Sequence, residues 1–436
     1  MNGGRPLDLD RLVQAHRVHG AVYTDPGIFA LEQLRVFGRS WIFLGHLSQI
    51  PRAGDHYATF IGAEPVFMTR GKDGIARGFY NRCPHKGTQI LPAGACSTPL
   101  LRCPYHGWTF GLDGQLRTIA APSGYSDSPH VCPGAPEFAL APLPGFDEYR
   151  GFVFARLSAQ GLSLREWLGP MAESLDNFID RAPDGDVEVA GGVLRYEHQC
   201  NWKFFMENTL DALHPMVVHL SAAKSAEKVA RQTETASTDM AFEMQALAPF
   251  TGSYAMFDNM GGRVMANGHG ELGGQASIHS GYDVDEAYWS AMVAKHGEDR
   301  ARAILTLSRN NSVAYPSLMF KAPVSLLRVV RPIAVDRTVI ETWHFRLRGA
   351  PASVFERTIA YSNLVNSAAG MVGPDDHQVY RRMQAGLQAG FPEWIELSRY
   401  PLPSSNQTDG ATEVKGTSEA FFRNQFVAWK ALMGEV

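Results

Sequence analysis

Apolar positions change their spacing along the chain, and the changes predict successive parts of different structure. Near the start, Thr24-Asp25-Pro26 has the form of a helix N-terminus, and four apolar residues then recur on one helical face: Ile28, Leu31, Leu34 and Phe37. From Trp41 to about Leu157, short apolar runs are separated by turn sequences such as GKDG and LDG. This texture is typical of a small antiparallel β domain.

The texture changes again at Ser163, which forms a capping-box pattern with Glu166 at the start of an interrupted helix. The remainder mixes strand-like runs with helices, including a C-terminal helix from about Ser418. Strand and helix groups are partly segregated, so we predict an α+β fold. The predicted parts are an N-terminal helical segment over 1–38 that packs on the larger domain, a β domain over 39–160 and a larger domain over 161–436.

The composition is that of a globular protein with a sizeable core, since 45% of the residues are hydrophobic and 19% are charged. The formal net charge is −4 and no polybasic run occurs, so nucleic acid is not expected as a partner. The N-terminus lacks the apolar segment of a secretion signal, and no stretch approaches about 18 consecutive apolar residues, so neither secretion nor membrane spanning is expected. Five cysteines are too few for a disulfide framework in a chain of this length, which favours the cytoplasm.

Two loops inside the predicted β domain carry the same pair of residue types. Cys83 and His85 are separated by one residue, Cys103 and His106 by two, and 17 residues lie between the pairs. Four such ligands indicate a metal site, for which zinc and iron–sulfur are the candidates. One cysteine and one histidine from each loop fit a two-iron cluster, in which the thiolates hold one iron and the imidazoles hold the other. A structural Cys₂His₂ zinc site is the alternative. The other cysteines lack metal-like spacing and are interpreted as structural: Cys96, Cys132 and Cys200.

A second polar pattern lies in the sequence NWKFFMENTLDALHPMVVH of the larger domain. Its apolar residues follow a helical stripe, while Glu207, Asp211 and His214 fall at i, i+4 and i+7 on a separate stripe. His219 follows five residues after His214, so on an ideal helix the two imidazoles would diverge by roughly 140°. Pro215 lies between them and disrupts a regular helix, which would allow them to converge. Taken alone, the pattern also fits a solvated helix face with incidental histidines.

Together the two patterns resemble those of Rieske non-haem iron oxygenase α subunits, and the resemblance covers nearly the whole chain. The loops match the signature C-x-H…C-x-x-H-G-W, which Trp108 completes. The second stretch matches E-N-x-x-D-x-x-H-x-x-x-x-H, in which Asn208 completes the Glu-Asn pair. Two residues depart from the usual pattern: Lys86 stands where the family usually has Arg, and Leu213 where Tyr often precedes the first His.

The resemblance implies two metal centres, one [2Fe–2S] Rieske cluster on the four loop residues and one mononuclear Fe(II) on His214 and His219. It also implies that Asp211 links the iron to the cluster of a neighbouring subunit. The iron needs a carboxylate as its third protein ligand, and the family places it before a helix, where GMVGPDDHQVYRRMQAGL fits. We prefer Asp376, which lies eight residues before Gln384 as in several relatives. Asp375 is the alternative, because one of the two is a natural helix cap.

In the family, the Rieske domain is joined to a helix-grip (START-like) catalytic domain with a large antiparallel sheet and helices. The activity implied is that of a terminal oxygenase, a dioxygenase or monooxygenase that uses O₂ to hydroxylate an aromatic substrate. Electrons would come from NAD(P)H through a separate reductase, with or without a ferredoxin. The implied assembly is a homotrimer or an α3β3 complex with a small β subunit. A Rieske electron carrier without oxygenase activity is the alternative from another class.

The substrate is expected to be an aromatic carboxylate, because GMVGPDD and LLRVVRPIAVD are most similar to oxygenases of the benzoate-like group. An apolar slot near the iron would hold the ring, with Phe205 or its neighbour Phe204, Val217 and Val218 as candidate walls. A neutral polycyclic or terpenoid ring held by shape alone is the alternative, and the leucine before the first iron-ligating histidine would suit a wider pocket.

One cation is expected to hold the carboxylate. Arg328 and Arg331 lie three residues apart on a predicted strand, so their side chains point to opposite faces. At most one of them can face the pocket, and we favour Arg328. Asn201 and Asn208 are candidates for hydrogen bonds near the iron, although a buried structural amide is an equally good interpretation of each.

Overall fold

The computed structural model describes residues 7–233, 242–280, 284–401, 407–408 and 410–434, and the chain separates into two compact units. One unit is Phe37–Arg165, and the other combines Met1–Val36 with Glu166–Val436. The N-terminal segment therefore belongs to the larger unit, although the smaller unit follows it in the sequence. None of the described helices is both long enough and apolar enough to cross a membrane.

The N-terminal segment contains α1 (Leu9–Leu12), β1 (Arg17–His19), α2 (Ala21–Thr24) and α3 (Pro26–Glu32). Helix α3 begins where the sequence predicts, because the Asp25 carboxylate accepts hydrogen bonds from the backbone N–H groups of Gly27 and Ile28. The helix then passes into a π-helical turn over Gln33–Phe37, which changes the direction of the side chains. The predicted apolar face is therefore wrong at Leu34, which is 71% exposed.

The smaller unit is built from ten short strands in three antiparallel sheets. The strands are β2 (Ile42–His46), β3 (Asp55–Ile61), β4 (Glu64–Arg70), β5 (Ala76–Tyr80), β6 (Gly94–Ser97), β7 (Leu101–Arg102), β8 (Thr109–Phe110), β9 (Leu116–Thr118), β10 (Gly145–Tyr149) and β11 (Phe152–Arg156). The strand orders are β10-β11-β2, β5-β4-β3-β6 and β7-β8-β9. One buried cluster of side chains contains Phe67, Phe79 and Trp108 together with Cys83 and Cys103.

The larger unit is built around an antiparallel sheet with nine strands in the described part of the chain. Its strands are β12 (Val187–His198), β13 (Gly262–Met265), β14 (Gly270–Gly274), β15 (Ser308–Ala314), β16 (Leu318–Lys321), β17 (Leu326–Ala334), β18 (Arg337–Leu347), β20 (Gln407–Thr408) and β21 (Ala411–Val414), while β19 (Trp394–Glu396) pairs with β1. The strand order is β12-β18-β17-β16-β15-β14-β13-β21-β20. This order places β16 and β17 near the middle of the sheet.

Helices accompany this sheet. They are α4 (Leu164–Leu168), α5 (Met171–Asp180), α6 (Trp202–Asn208), α7 (Pro215–Val218), α8 (Leu220–Thr233), α9 (Phe242–Leu247), α10 (Tyr254–Asn259), α11 (Glu286–His296), α12 (Glu298–Thr306), α13 (Ala352–Tyr361), α14 (Gly373–Gln388) and α15 (Ala420–Met433). The predicted C-terminal helix is thus present, beginning at Ala420.

One buried carboxylate joins α3, α6 and α15. Glu32 accepts hydrogen bonds from the indole N–H groups of Trp202 at 2.9 Å and Trp429 at 2.7 Å, and the Lys203 ammonium lies 2.5 Å from it. All four side chains are buried, and a carboxylate so placed needs its charge and its lone pairs satisfied. These contacts fix the position of α6, the helix that leads into the candidate iron site.

Candidate active site

The two Cys/His loops of the smaller unit have the same backbone turn. The N–H of Gly87 donates to the carbonyl of Cys83, and the N–H of Gly107 donates to the carbonyl of Cys103. Both glycines have positive φ, 74° and 69°, a conformation that glycine adopts without strain. Equivalent turns therefore present one cysteine and one histidine from each loop.

The four predicted cluster residues come together as two like pairs. Cys83 and Cys103 are buried in the same cluster of side chains. Burial, with Cys103 adding to it, raises the pKa of Cys83. The ring centroids of His85 and His106 lie 4.8 Å apart, and His85 stacks on Trp108 at 4.7 Å. Within the described chain, Nδ1 of His106 is buried without a hydrogen-bond partner. Two thiols with two imidazoles are the donor set of a Rieske cluster, so these residues fit a [2Fe–2S] group.

In the larger unit, His214, His219 and Asp376 also come together. Oδ1 of Asp376 lies 3.7 Å from Nε2 of His214 and 3.4 Å from Nε2 of His219. One ligand atom from each residue lies within 4.8 Å of the other two. Two imidazoles and one carboxylate are the protein ligands of non-haem iron(II) sites that leave positions open. The three residues therefore fit a mononuclear iron.

A break between helices allows the two histidines to converge. Helix α6 ends at Asn208, and the Asp211 carboxylate accepts a hydrogen bond of 3.3 Å from the N–H of His214 in the turn that follows. Pro215 then occupies the first position of the four-residue helix α7, where the missing N–H of proline costs nothing. His219 follows the end of α7. The chain is interrupted before Pro215, so the proline begins a new helix and does not kink the old one.

A second carboxylate lies behind each histidine. Nδ1 of His214 is 3.8 Å from Oδ2 of Asp211, and Nδ1 of His219 is 3.4 Å from Oδ2 of Asp375. Each imidazole thus has its Nε2 toward Asp376 and its Nδ1 toward another acid. Carboxylates in this outer position orient a ligating histidine and fix its tautomer. The neighbours Asp375 and Asp376 consequently have different surroundings.

The electrostatics of the three residues reflect burial opposed by charge. Burial lowers the pKa of His214 and outweighs the opposing effect of Asp376 and Asp211. Burial alone would also lower the pKa of His219, but Asp376 and Asp375 outweigh it and raise that pKa. For Asp376, burial is outweighed by the two histidines, which lower its pKa. The carboxylate is therefore held ionised, as a metal ligand must be.

The two predicted asparagines differ in their surroundings. The amide nitrogen of Asn208 lies 3.4 Å from Oδ1 of Asp376, so it contacts the candidate iron ligands directly. Asn201 instead caps α6, and its amide donates to the backbone carbonyls of Tyr23 and Val335. Asn201 is buried as a helix cap and joins three chain segments. Its position gives it a structural contact set, away from the three candidate iron ligands.

A cavity lies against the His214, His219 and Asp376 group. Apolar side chains line much of it: Phe250, Phe257, Met260, Ile278, Met319 and Val365. Arg328 lines the same cavity from β17, while Arg331 points elsewhere and pairs with Glu341 at 3.2 Å. Polar and charged side chains line the rest of the cavity, so it can contact both an apolar ring and a polar group of a small molecule.

The other predicted pocket walls lie elsewhere. Val217 is 76% exposed, and neither it nor Val218 is among the cavity-lining residues. Phe205 is buried and lies beneath the Arg328 guanidinium, whose central carbon is 4.3 Å from the centroid of the phenyl ring. Phe204 stacks on Tyr23 at 4.7 Å. Phe205 thus supports a cavity residue and does not itself face the cavity.

Polar cavity residues that the sequence reading did not identify include Lys321, Tyr361 and Asn366. Lys321 lies two residues after Met319 on β16, so the alternation of a strand places both side chains on one face. The strand alternation of this stretch is the sequence signal that could have identified Lys321. The other two lie on and just after α13, far along the chain, and no local pattern connects them with the site.

Comparison with known proteins gives a consistent result for both parts of the chain. Residues 40–133 match the family described as Rieske [2Fe-2S] domain, and residues 188–409 match the ring hydroxylating alpha subunit (catalytic domain). The chain is 30% identical to toluate 1,2-dioxygenase subunit alpha of Pseudomonas putida over 441 residues, which cover 96% of this chain and 91% of that protein. It is 29% identical to the anthranilate 1,2-dioxygenase large subunit of Acinetobacter baylyi, covering 96% and 89%.

Solved structures show the same fold. Naphthalene 1,2-dioxygenase from Rhodococcus sp., bound to indole, matches with a TM-score of 0.78 at 24% identity, covering 96% of this chain and 94% of that one. The predicted α+β class, with an antiparallel β domain followed by a domain with a large antiparallel sheet and helices, is thereby confirmed.

Proposed function

The chain belongs to the family of ring-hydroxylating oxygenase alpha subunits, with a Rieske [2Fe–2S] domain and a mononuclear-iron catalytic domain, and we propose that its substrate is an aromatic carboxylate. The Rieske domain is assigned to residues 39–160 and the catalytic domain to residues 161–436, with residues 1–38 as a helical segment that packs on the catalytic domain. The enzyme is an oxidoreductase that hydroxylates its substrate.

Each metal group is assigned to the residues whose donor set fits it. Cys83, His85, Cys103 and His106 would hold the cluster, and His214, His219 and Asp376 the iron. When bound, the cluster supplies single electrons to the iron, where O₂ is activated.

The protein's own contribution at the iron site is positioning. Asp375 lies 3.4 Å from the outer nitrogen of His219 and orients that ring with Nε2 directed inward, while Asp211 faces the outer nitrogen of His214 at 3.8 Å, beyond hydrogen-bond distance. Asn208 contacts Asp376 from the end of α6. The apolar side chains of the cavity would contact the ring of the substrate.

Asp211 has a second role in this proposal. The chain would assemble as a homotrimer or an α3β3 complex, and Asp211 would hydrogen-bond His214 in its own chain and His106 of a neighbouring copy. That arrangement supplies a short connection between the two metal groups. A separate reductase, with or without a ferredoxin, would deliver NAD(P)H electrons, and the cytoplasm is the proposed location.

The observation that carries the substrate proposal is the position of Arg328. It lines the cavity beside the candidate iron ligands, and its guanidinium donates to the hydroxyl of Tyr196 at 3.2 Å. Within the described chain, its Nε is buried without a hydrogen-bond partner, and no carboxylate lies within ion-pair distance of the guanidinium. A partly buried cation whose buried Nε–H is unused favours an anionic ligand. The two relatives above are named for toluate and anthranilate, which are aromatic carboxylates.

The test compares substituted benzoates with their methyl esters and with neutral arenes, using a surrogate reductase. We expect faster oxidation of the acids. A charge-assisted hydrogen bond contributes about 1.5–3 kcal/mol, so Arg328→Ala should lower kcat/KM for the acids by roughly 10- to 150-fold and affect the esters little. Faster oxidation of esters or arenes, with Arg328→Ala indifferent to the choice, would replace this proposal with a neutral polycyclic or terpenoid substrate.

A further inference from the structure

A second cation lines the same cavity from the neighbouring strand. Strands β16 and β17 pair antiparallel, with Met319 opposite Arg328 and Lys321 opposite Leu326. Because alternate residues share a face, Lys321 and Arg328 point to the same side of the sheet as diagonal neighbours. Both line the cavity that also contains the candidate iron ligands. The sheet therefore brings two cations to one wall of the cavity.

Lys321 lacks the partner that a buried ammonium normally has. It is 7% exposed, and its Nζ donates to the hydroxyl of Tyr361 at 3.1 Å. No Asp or Glu of the described chain lies within ion-pair distance of it. Two acids share the cavity: Asp376 lies between the two histidines, and Asp211 lies beside His214. Buried lysines without a paired acid are uncommon and costly, which marks this one for a role.

A third donor lies in the same cavity. The side chain of Asn366 is 3% exposed and lines the cavity, and its amide nitrogen has no hydrogen-bond partner in the described chain. Unsatisfied buried donors are rare in folded proteins because each one costs a lost hydrogen bond with water. Lys321, Arg328 and Asn366 thus leave donors available in one cavity, and an acceptor with several lone pairs would satisfy them.

We propose that Lys321 is a specificity-determining residue that binds the substrate carboxylate together with Arg328. This inference rests on the proposed function, since it names the second cation of the same substrate site. A carboxylate has two oxygens and about four acceptor positions, so it can accept from both cations and from an amide. Met319 and the other apolar side chains of the cavity would contact the ring.

The charge state of Lys321 agrees with this role. Burial, with Arg328 adding to it and Asp376 opposing it, lowers the pKa of Lys321 from 10.5 to about 7. The groups that face it from the surrounding elements are Arg328, Tyr361, Asp376 and His279, and the last is itself held neutral by burial. Burial and Arg328 thus disfavour the positive charge on Lys321, and a substrate carboxylate would favour it.

The experiment measures kcat/KM for the best-oxidised benzoate of a panel and for its methyl ester, with the purified holoenzyme and a surrogate reductase. Binding of the same acid to each protein is also followed by calorimetry. Lys321→Met removes the charge and keeps an apolar chain of similar length. We expect this variant to lower kcat/KM and binding affinity for the acid by about 10- to 150-fold. Its kcat/KM for the ester should change by less than about threefold. Lys321→Arg restores the charge and should stay within about tenfold of wild type.

Lys295→Met is the matched control, because it makes the same substitution at an exposed lysine that does not line the cavity, and it should keep the kcat/KM of wild type for both acid and ester. Iron and sulfide contents show that each variant is folded. Suppose that Lys321→Met lowers kcat/KM for the acid and the ester equally, or lowers neither, while Arg328→Met abolishes the preference for the acid. Lys321 then has no part in recognition, and the proposed function stands. If wild type oxidises the ester or arenes and no acid, the substrate class itself is overturned, and the role of Lys321 with it.

Discussion

Replacing Asp376 and Asp375 one at a time tests which of the two is the iron ligand, since we propose Asp376 as the ligand and Asp375 as the acid that orients His219. Asp376→Ala removes the carboxylate oxygen that lies 3.4 Å and 3.7 Å from the two inward nitrogens, and leaves only two imidazoles. Asp375→Ala removes only the acid 3.4 Å from the outer nitrogen of His219. We therefore expect the first variant to lose the mononuclear iron and the second to retain it with weaker affinity.

The magnitudes follow from the two positions. Loss of an outer partner of a ligating histidine typically lowers metal affinity 10- to 100-fold, about 1.4–2.7 kcal/mol. With excess Fe(II), Asp375→Ala should therefore still fill its iron site, whereas Asp376→Ala should not. Loss of a ligand also removes the negative charge that offsets the metal ion in a buried site.

The assay is a ratio of iron to acid-labile sulfide, supported by a competition titration with a chelator. A Rieske cluster contributes two irons and two sulfides, so wild type should give three irons per two sulfides and Asp376→Ala two per two. The cluster spectrum of both variants should be unchanged, which serves as the control for folding. Full iron in Asp376→Ala with loss of iron in Asp375→Ala would show that the ligand assignment is reversed.

Three further predictions concern other residues. Cys83→Ser should lose the visible absorption and the acid-labile sulfide of the protein, while Cys132→Ser, at an exposed thiol, should keep both; zinc in a colourless wild type prepared with iron would contradict the cluster assignment. Asp211→Ala should retain both metal groups and lose turnover, because Asp211 lies 3.8 Å from the outer nitrogen of His214; near-normal product formation would rule out this electron route. Burial raises the pKa of Glu207 from 4.5 to about 8, so the free energy of unfolding should decrease as the pH rises through that window. In urea titrations, the free energy of unfolding of Glu207→Gln should lack this decrease, which amounts to up to about 5 kcal/mol at pH 9 in wild type. If the unfolding free energies of variant and wild type changed with pH in parallel, the assignment of the decrease to Glu207 would be refuted.

The metal-site residues could be predicted because the members of each Cys/His pair, and His214 and His219, lie within a few residues of one another in the sequence. The four cluster residues lie in two loops whose backbone turns repeat, and one turn needs only nearby residues to form. The convergence of His214 and His219 also followed from a local argument, the incompatibility of their spacing with a regular helix. The family resemblance indicated a carboxylate before a helix, and Asp376 was preferred for its spacing of eight residues from Gln384, with Asp375 as the alternative. The structure separates their surroundings by distance.

The cavity could be predicted only in part, because its wall is formed by residues distant in sequence. Strand alternation predicted that at most one of Arg328 and Arg331 faces the pocket, and Arg328, the one favoured, lines the cavity. Val217 was expected there from its closeness to His214, but the short helix α7 buries Pro215 and leaves Val217 exposed. Lys321 reaches the cavity through the pairing of β16 with β17, a register that the sequence does not specify.

The most direct test of the account is oxidation under ¹⁸O₂ with the purified chain, a surrogate reductase, NADH and a panel of substituted benzoates. We expect a ring-hydroxylated product of at least one acid that carries oxygen from ¹⁸O₂, and no such product from Asp376→Ala. Labelled products from neutral arenes alone would contradict the carboxylate substrate. NADH consumption without a labelled product from any aromatic compound would contradict the assignment of the cavity beside His214, His219 and Asp376 as the site of oxidation.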